Sequence, residues 1–219
     1  MNDFQDKDSI SIKVTMIGSV GVGKSCIIDR FTKDTFDSLN KSTIGANYYK
    51  KELNIHDKNI TLDIWDTAGQ EKFHSMGRHF YKNSNIIVIV YDITNINSFE
   101  DIKNYWYNDV KEHGDKYKVI GIVGNKFDLY DQDGINEIDE KVVQKFMDNI
   151  NNNDKNSRFL NMKVSAKTGV NIKNLFTKLV GLYLEKEFNI LIRQESLQKA
   201  STLIIEERRS VKKKKKCCK

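Results

Sequence analysis

Proline is absent from all 219 residues, and there are only three cysteines. Three cysteines cannot build the disulfide framework of a small secreted domain, and Cys217 and Cys218 are adjacent near the C-terminus. A reducing, cytosolic setting is expected. The missing proline, beside heavy use of Asn, Lys and Ile, reads as compositional bias and excludes no function. Long apolar runs are missing too. The longest, Ile86 to Tyr91, has six residues, whereas a membrane-spanning helix needs about 20. The polar, acidic MNDFQDKDS at the start argues against a secretory signal, and Asn2 stands where myristoylation requires Gly. An excess of positive charge is missing from the body, although the formal net charge is +6. From Arg193 to Lys219 there are ten Lys or Arg against three Glu, so residues 1–192 hold 26 basic and 27 acidic side chains. A nucleic-acid-binding domain should carry its basic face on the fold, so no nucleic-acid partner is expected.

What remains is ample for one domain: 39% hydrophobic and 10% aromatic residues can fill a core. Ile12–Met16 alternates as a strand does, and a glycine-rich turn from Gly18 to Gly23 then leads into a helix opened by Lys24. Tyr48–Ile55 and Ile60–Trp65 read as a hairpin around His56–Asn59. Ile86–Tyr91 and Val119–Val123 are apolar runs suited to strands buried on both faces, and Phe159–Val164 is a last strand. Helices are expected from Ser98 to about His113, from Glu137 to Asn149, and from about Asn171. The polar stretch Asn149–Ser157 reads as a loop insertion. These alternations predict an α/β fold, a six-stranded and mostly parallel sheet with helices on both faces. Residues 1–188 would form the domain, and 189–219 a charged, disordered tail. No internal repeat is visible.

Gly18 to Ser25 reads GSVGVGKS, the phosphate-loop pattern G-x-x-x-x-G-K-[ST], in the required place between a strand and a helix. Small residues allow backbone N–H groups to wrap a phosphate at the helix N-terminus. Val20, Gly21, Val22, Gly23, Lys24, Ser25 and Cys26 are therefore nucleotide-binding candidates, with Lys24 on the β- and γ-phosphates and Ser25 on Mg²⁺. For Cys26 itself a buried packing role is expected rather than a reactive thiol. Asn125-Lys126-Phe127-Asp128 follows a buried strand. The Asp128 carboxylate can accept from the N1–H and exocyclic amine of guanine, where adenine has no matching pair of donors. Asn125 can hold the loop and the N7 edge, and the Lys126 stem can pack over the ring. Ser165-Ala166-Lys167 supplies a backbone N–H for the guanine O6. In Trp65–Glu71, Asp66 should hold Mg²⁺ through water, the Gly69 amide should touch the γ-phosphate, and Gln70 should orient the attacking water. Thr43 is the second hydroxyl candidate for Mg²⁺. His56, His74, His79 and His113 lack metal-ligand spacing and read as surface residues.

With these five motifs in order, residues 10 to 185 resemble a small GTPase of the Ras superfamily, and within it the Rab family, most similar to its early-endosomal branch. The resemblance implies GTP hydrolysis to GDP, with Mg²⁺, by a monomer. It also implies that Phe36 stacks edge-on against guanine, and that Tyr48, Trp65 and Phe80 form the aromatic triad read by partners. Exchange factor, activating protein, dissociation inhibitor and effectors would engage the switch segments, about Phe36–Tyr48 and Gly69–Lys82. Ile44-Gly45-Ala46-Asn47-Tyr48 and Phe80-Tyr81-Lys82-Asn83 depart from the usual Rab wording, which bears on partners rather than on nucleotide chemistry. Val20 stands where the Ras-type loop usually has Gly and Rabs carry small residues, so intrinsic turnover is expected to be slow. No arginine occupies an obvious finger position, so acceleration would need a partner.

The tail ends in Lys212–Lys216, Cys217, Cys218 and Lys219. A C-a-a-X box would need Cys at position 216, so the pair instead resembles the doubly geranylgeranylated Rab ending. Two lipid chains beside five lysines would anchor the protein to an anionic leaflet. The expected place is the cytoplasmic face of endosomal or other vesicular membranes, cycling with the cytosol. Two alternatives remain at this level: a GTP-locked scaffold that hardly turns over, and a nuclear-transport-type GTPase with unmodified cysteines.

Overall fold

The computed structural model describes residues 10–38, 42–55, 58–69, 79–114, 117–130 and 138–189. By internal contacts the chain divides into two units, Met1–Tyr183 and Leu184–Lys219. Described residues of the second unit end at 189 and are helical.

The described residues of the first unit form one sheet of six strands: β1 (Ile10–Ile17), β2 (Ala46–Ile55), β3 (Lys58–Thr67), β4 (Ile86–Asp92), β5 (Val119–Asn125) and β6 (Arg158–Lys163), in the order β2-β3-β1-β4-β5-β6. Only the β2–β3 hairpin is antiparallel; the other four pairings are parallel. Every residue of β4 and β5 is buried, as their uninterrupted apolar runs require when helices cover both faces. Edge strand β2 instead exposes Asn47, Tyr48, Lys50, Glu52 and Asn54. The chain leaves β1 towards β3 on one side and later builds β4, β5 and β6 on the other. A crevice therefore opens beyond the carboxyl end of β1, where ligands bind in sheets of this kind.

Helix α1 (Lys24–Lys33) starts there, with Gly23 in the left-handed region at φ 92° and no acidic side chain in its first turn. Its positive end is thus left for an outside anion. On α1's side of the sheet Phe31 stacks on Phe176 of the last helix, ring centroids 3.8 Å apart. The opposite face buries Ile87, Ile89, Ile120 and Ile122 under Phe99, Trp106, Val110, Val143 and Met147.

Helix α2 is composite: Ile96–Asp101 is α-helical, Ile102–Trp106 is π-helical, and Tyr107–His113 is α-helical again. It starts two residues before the expected Ser98 because Asn95 caps it, its side chain accepting from the Asn97 N–H at 3.1 Å. Helix α3 runs Glu140–Asn153, capped by Asp139. The expected loop over Asn149–Ser157 is therefore corrected: its first half is helix. Ile150 continues the buried stripe of Val143 and Met147, and Asn151 Nδ2 donates to the Met147 carbonyl at 2.8 Å. The chain turns only at Asp154, whose carboxylate accepts from the Asn156 and Ser157 N–H groups. Helix α4 opens at residue 172, as expected, and buries Leu175, Phe176, Leu179 and Val180. No described helix is long and apolar enough to cross a membrane.

Candidate active site

The loop between β1 and α1 is tied down from three sides. Gly18, at φ 133°, passes so near β4 that a Cβ would stand 2.3 Å from the Val90 carbonyl oxygen, and no other residue fits. Lys24 folds back over the loop, its Nζ donating to the carbonyls of Gly18 at 2.7 Å and Ser19 at 3.0 Å. The Val22 side chain points into the core, and its carbonyl accepts from Asn125 Nδ2 at 2.9 Å. Burial pushes the Lys24 ammonium down to about 8, partly opposed by the Asp66 carboxylate. An anion in the loop would restore its charge.

Ser25, Thr43 and Asp66, on α1, the segment before β2 and the end of β3, meet at one point. Ser25 Oγ donates to Asp66 Oδ2 at 2.6 Å, Thr43 Oγ1 reaches the same oxygen at 3.3 Å, and the two hydroxyls lie 2.9 Å apart. Asp66 is fully buried, and its other oxygen, Oδ1, has no hydrogen-bond partner among the described residues. Burial raises its pKa, against the Ser25 hydroxyl and the Lys24 charge. Gathered hard oxygens around a buried, incompletely satisfied carboxylate fit Mg²⁺. Among the described residues no group of three His, Cys, Asp or Glu suits a softer metal.

At the far end Asn125 joins three loops. Besides Val22, it reaches the loop after β6, its Oδ1 accepting from the Ala166 N–H at 3.1 Å. That amide, one of the three offered for the guanine O6, is thus engaged within the protein. Asp128 is held by Ser165, whose hydroxyl donates to Oδ1 at 2.6 Å, with Lys167 Nζ 3.8 Å from Oδ2. Ser165 itself is buried behind that contact. Lys126 is at φ 69°, its ammonium 2.5 Å from Asp92 Oδ2. The Rab-like run Val90-Tyr91-Asp92-Ile93-Thr94 contains Asp92 but assigns it no role, although a carboxylate ending the strand beside Asn125 is a usable signal. Arg30 was missed too. Its guanidinium donates to the Ala166 carbonyl at 3.0 Å and the Lys167 carbonyl at 2.9 Å, tying α1 to the loop after β6. Nothing in its local sequence announces this.

Between these ends lies a cavity of about 490 Å³. Val20, Gly21, Gly23, Lys24, Ser25, Thr43 and Gly69 line one part of it, and Phe36, Asn125, Lys126, Asp128, Ala166 and Lys167 another. Val20 is 49% exposed and Phe36 36%. Cys26 also lines the wall and is only half-buried, with its Sγ 4.0 Å from the Asp37 carbonyl. This corrects the expectation of a packed interior cysteine: α1 turns that side chain outwards. Ser42 and Thr67, neighbours of Thr43 and Asp66 in their motifs, and Asp37, Ser38 and Leu129, which no motif flags, complete the lining. Gln70, Cys217, Cys218, His56 and His74 lie outside the described residues.

The three aromatic rings sit in one row on the β2–β3 side, with Tyr48–Trp65 centroids 5.4 Å apart and Trp65–Phe80 centroids 5.5 Å apart. The Tyr48 hydroxyl donates to Asp63 Oδ1 at 2.5 Å.

The sequence model of the Ras family matches residues 13–185. Ras-related protein Rab-31 of Rattus norvegicus is 41% identical over 165 residues, 75% of this chain and 79% of that one. Rab-22A of Homo sapiens is 36% identical over 168 residues, 77% and 81% of the two chains. RABF2a of Arabidopsis thaliana is 36% identical over 171 residues, 78% and 80%.

Proposed function

Because the chain belongs to the Ras family, and within it to the Rab small GTPases, we propose that residues 1–188 are a slow GTP/GDP switch and 189–219 its membrane tail. It is a GTP-binding GTPase of vesicle trafficking on intracellular membranes, and neither the locked-scaffold nor the nuclear-transport alternative is favoured. The observation that carries the site assignment is the convergence of Lys24, the Ser25–Thr43–Asp66 oxygens and the Asn125–Asp128 loop on one cavity.

Mg²⁺ held by Ser25, Thr43 and Asp66 would neutralise charge on the β- and γ-phosphates. Lys24 takes up further charge on those phosphates from a position already organised by two carbonyls. Asp128 reads the guanine donors, Phe36 borders the base, and Gln70 orients water. Thr43 and Gly69 contact the γ-phosphate only in the triphosphate state, so their segments loosen on hydrolysis. Exchange, activating and dissociation-inhibiting proteins and effectors engage those segments and the Tyr48–Trp65–Phe80 row.

Val20 makes this switch slow. A branched side chain at the cavity wall crowds the γ-phosphate, Gln70 and an incoming arginine. A misfit of about 1 Å loses on the order of 10²-fold in rate, and a finger supplies roughly 10³–10⁵-fold. Val20→Gly should therefore raise single-turnover γ-phosphate release about tenfold, and raise stimulation by a Rab-activating protein further. Equal rates for the two proteins, with and without activator, would mean that Val20 sets no limit.

The cysteine pair and five lysines support attachment by two isoprenoid chains on endosomal or related vesicles. Mass spectrometry of protein from its native cell should find Cys217 and Cys218 both prenylated, and Cys217→Ser/Cys218→Ser should leave the membrane fraction. Unmodified thiols on membrane-bound protein would end this part of the reading.

A further inference from the structure

Ser19 belongs to the phosphate loop but not to its signature, and three different parts of it are engaged at once. Its carbonyl receives the Lys24 ammonium at 3.0 Å. Its backbone carbon would lie 2.6 Å from a Cβ on Gly69, so the end of the β3 segment rests directly on it. Its hydroxyl leaves the loop altogether, donating to Asp101 Oδ2 at 2.6 Å and accepting from Trp106 Nε1 at 3.3 Å. Both partners are on helix α2.

An ordinary α-helix could not offer that pair. Residues five apart on it differ by about 140° in direction. Asp101 and Trp106 are five apart, but the chain between them is π-helical, with the Tyr107 N–H bonded to the Ile102 carbonyl. An i→i+5 ladder takes in more residues per turn, so residues five apart come much nearer to one face than they do on an α-helix. The widened turn brings the carboxylate and the indole N–H to one face, where a single hydroxyl satisfies both. Trp106 and Tyr107, consecutive residues, are both buried. π-turns of this kind concentrate at functional sites.

We propose that Ser19, Asp101 and Trp106 are positioning residues for GTP hydrolysis: the π-turn of α2 holds the phosphate loop, and through the Ser19 carbonyl the Lys24 ammonium, in register with the γ-phosphate. This rests on the GTPase reading above. With the hydroxyl removed, the loop keeps its glycine turns and its tie to Asn125, so GTP still binds. What is lost is the fixed placement of Ser19 beneath Lys24 and Gly69, and phosphoryl transfer is sensitive to placement.

The test is single-turnover hydrolysis of bound GTP, alongside GTP affinity, in the full chain. Ser19→Ala and Trp106→Phe should each slow hydrolysis about three- to tenfold while GTP affinity stays within about twofold. The double variant should be no slower than the worse single one, since both remove the same link. Ser19→Thr, which keeps the hydroxyl, and Asp101→Asn, which keeps an acceptor, should retain most of the rate; Asp101→Ala should not. Wild-type hydrolysis with Ser19→Ala equally fast would overturn the anchor alone, as would an equal loss in Ser19→Thr. Wild-type protein that binds GTP without hydrolysing it would overturn the anchor and the enzymatic reading together.

Discussion

Asp128→Asn is expected to reverse base preference, weakening GTP binding by about 10³-fold or more and making XTP the better ligand. The carboxylate is the only group proposed to accept both guanine donors, and a site built around such a pair rejects a mismatched base by roughly 10⁴–10⁵-fold. An amide in its place offers one donor and one acceptor, which suits the 2-oxo group of xanthine. The structure supplies the rigidity this needs: Ser165 fixes one carboxylate oxygen at 2.6 Å, and Lys167 stands 3.8 Å from the other. Competition between labelled GTP and XTP for the purified variant measures it directly. Undiminished preference for GTP would show that Asp128 does not face the base.

The second large effect is expected at Gly69. A Cβ there would stand 2.6 Å from both Lys24 Nζ and the Ser19 carbonyl carbon, and 2.7 Å from the Gly18 oxygen. The lysine could bend away, but two of these neighbours are loop backbone and cannot. Gly69→Ala should therefore push the β3 end and the phosphate loop apart, slowing single-turnover hydrolysis about 10²-fold. GDP affinity should change by less than about fivefold, because the γ-phosphate contact proposed for the Gly69 amide does not exist in the diphosphate state. Hydrolysis at the wild-type rate would mean that this close approach is not kept when GTP is bound.

Much of the architecture was legible because its signals are local. The apolar runs of β4 and β5 allow only strands covered on both faces, and a glycine turn ending in Lys24-Ser25 after a strand specifies an anion site. Motif order placed Asp66 and Asn125 at strand ends and Asp128 and Ser165 just beyond them, and the parallel sheet gathers strand ends by construction. The α3 boundary was misjudged because Asn-rich sequence reads as loop, whereas the burial of Ile150 on the core stripe overrode that weak preference.

Sequence by itself thus determined the sheet, the glycine loop before α1, and which residue types end each strand around the cavity, since each depends on neighbours a few positions away. Tertiary structure alone decided how those residues are held. Arg30 meets carbonyls more than a hundred positions along the chain, Asp92 pairs with Lys126 across adjacent strand ends, and Cys26 faces the cavity rather than the core. The Ser19–Asp101–Trp106 contact required a π-turn, and a hydrophobic stripe does not state whether its helix holds an extra residue. Long-range hydrogen bonds form only after the fold has set distances and directions, and neither quantity is written in the spacing of residues along a chain.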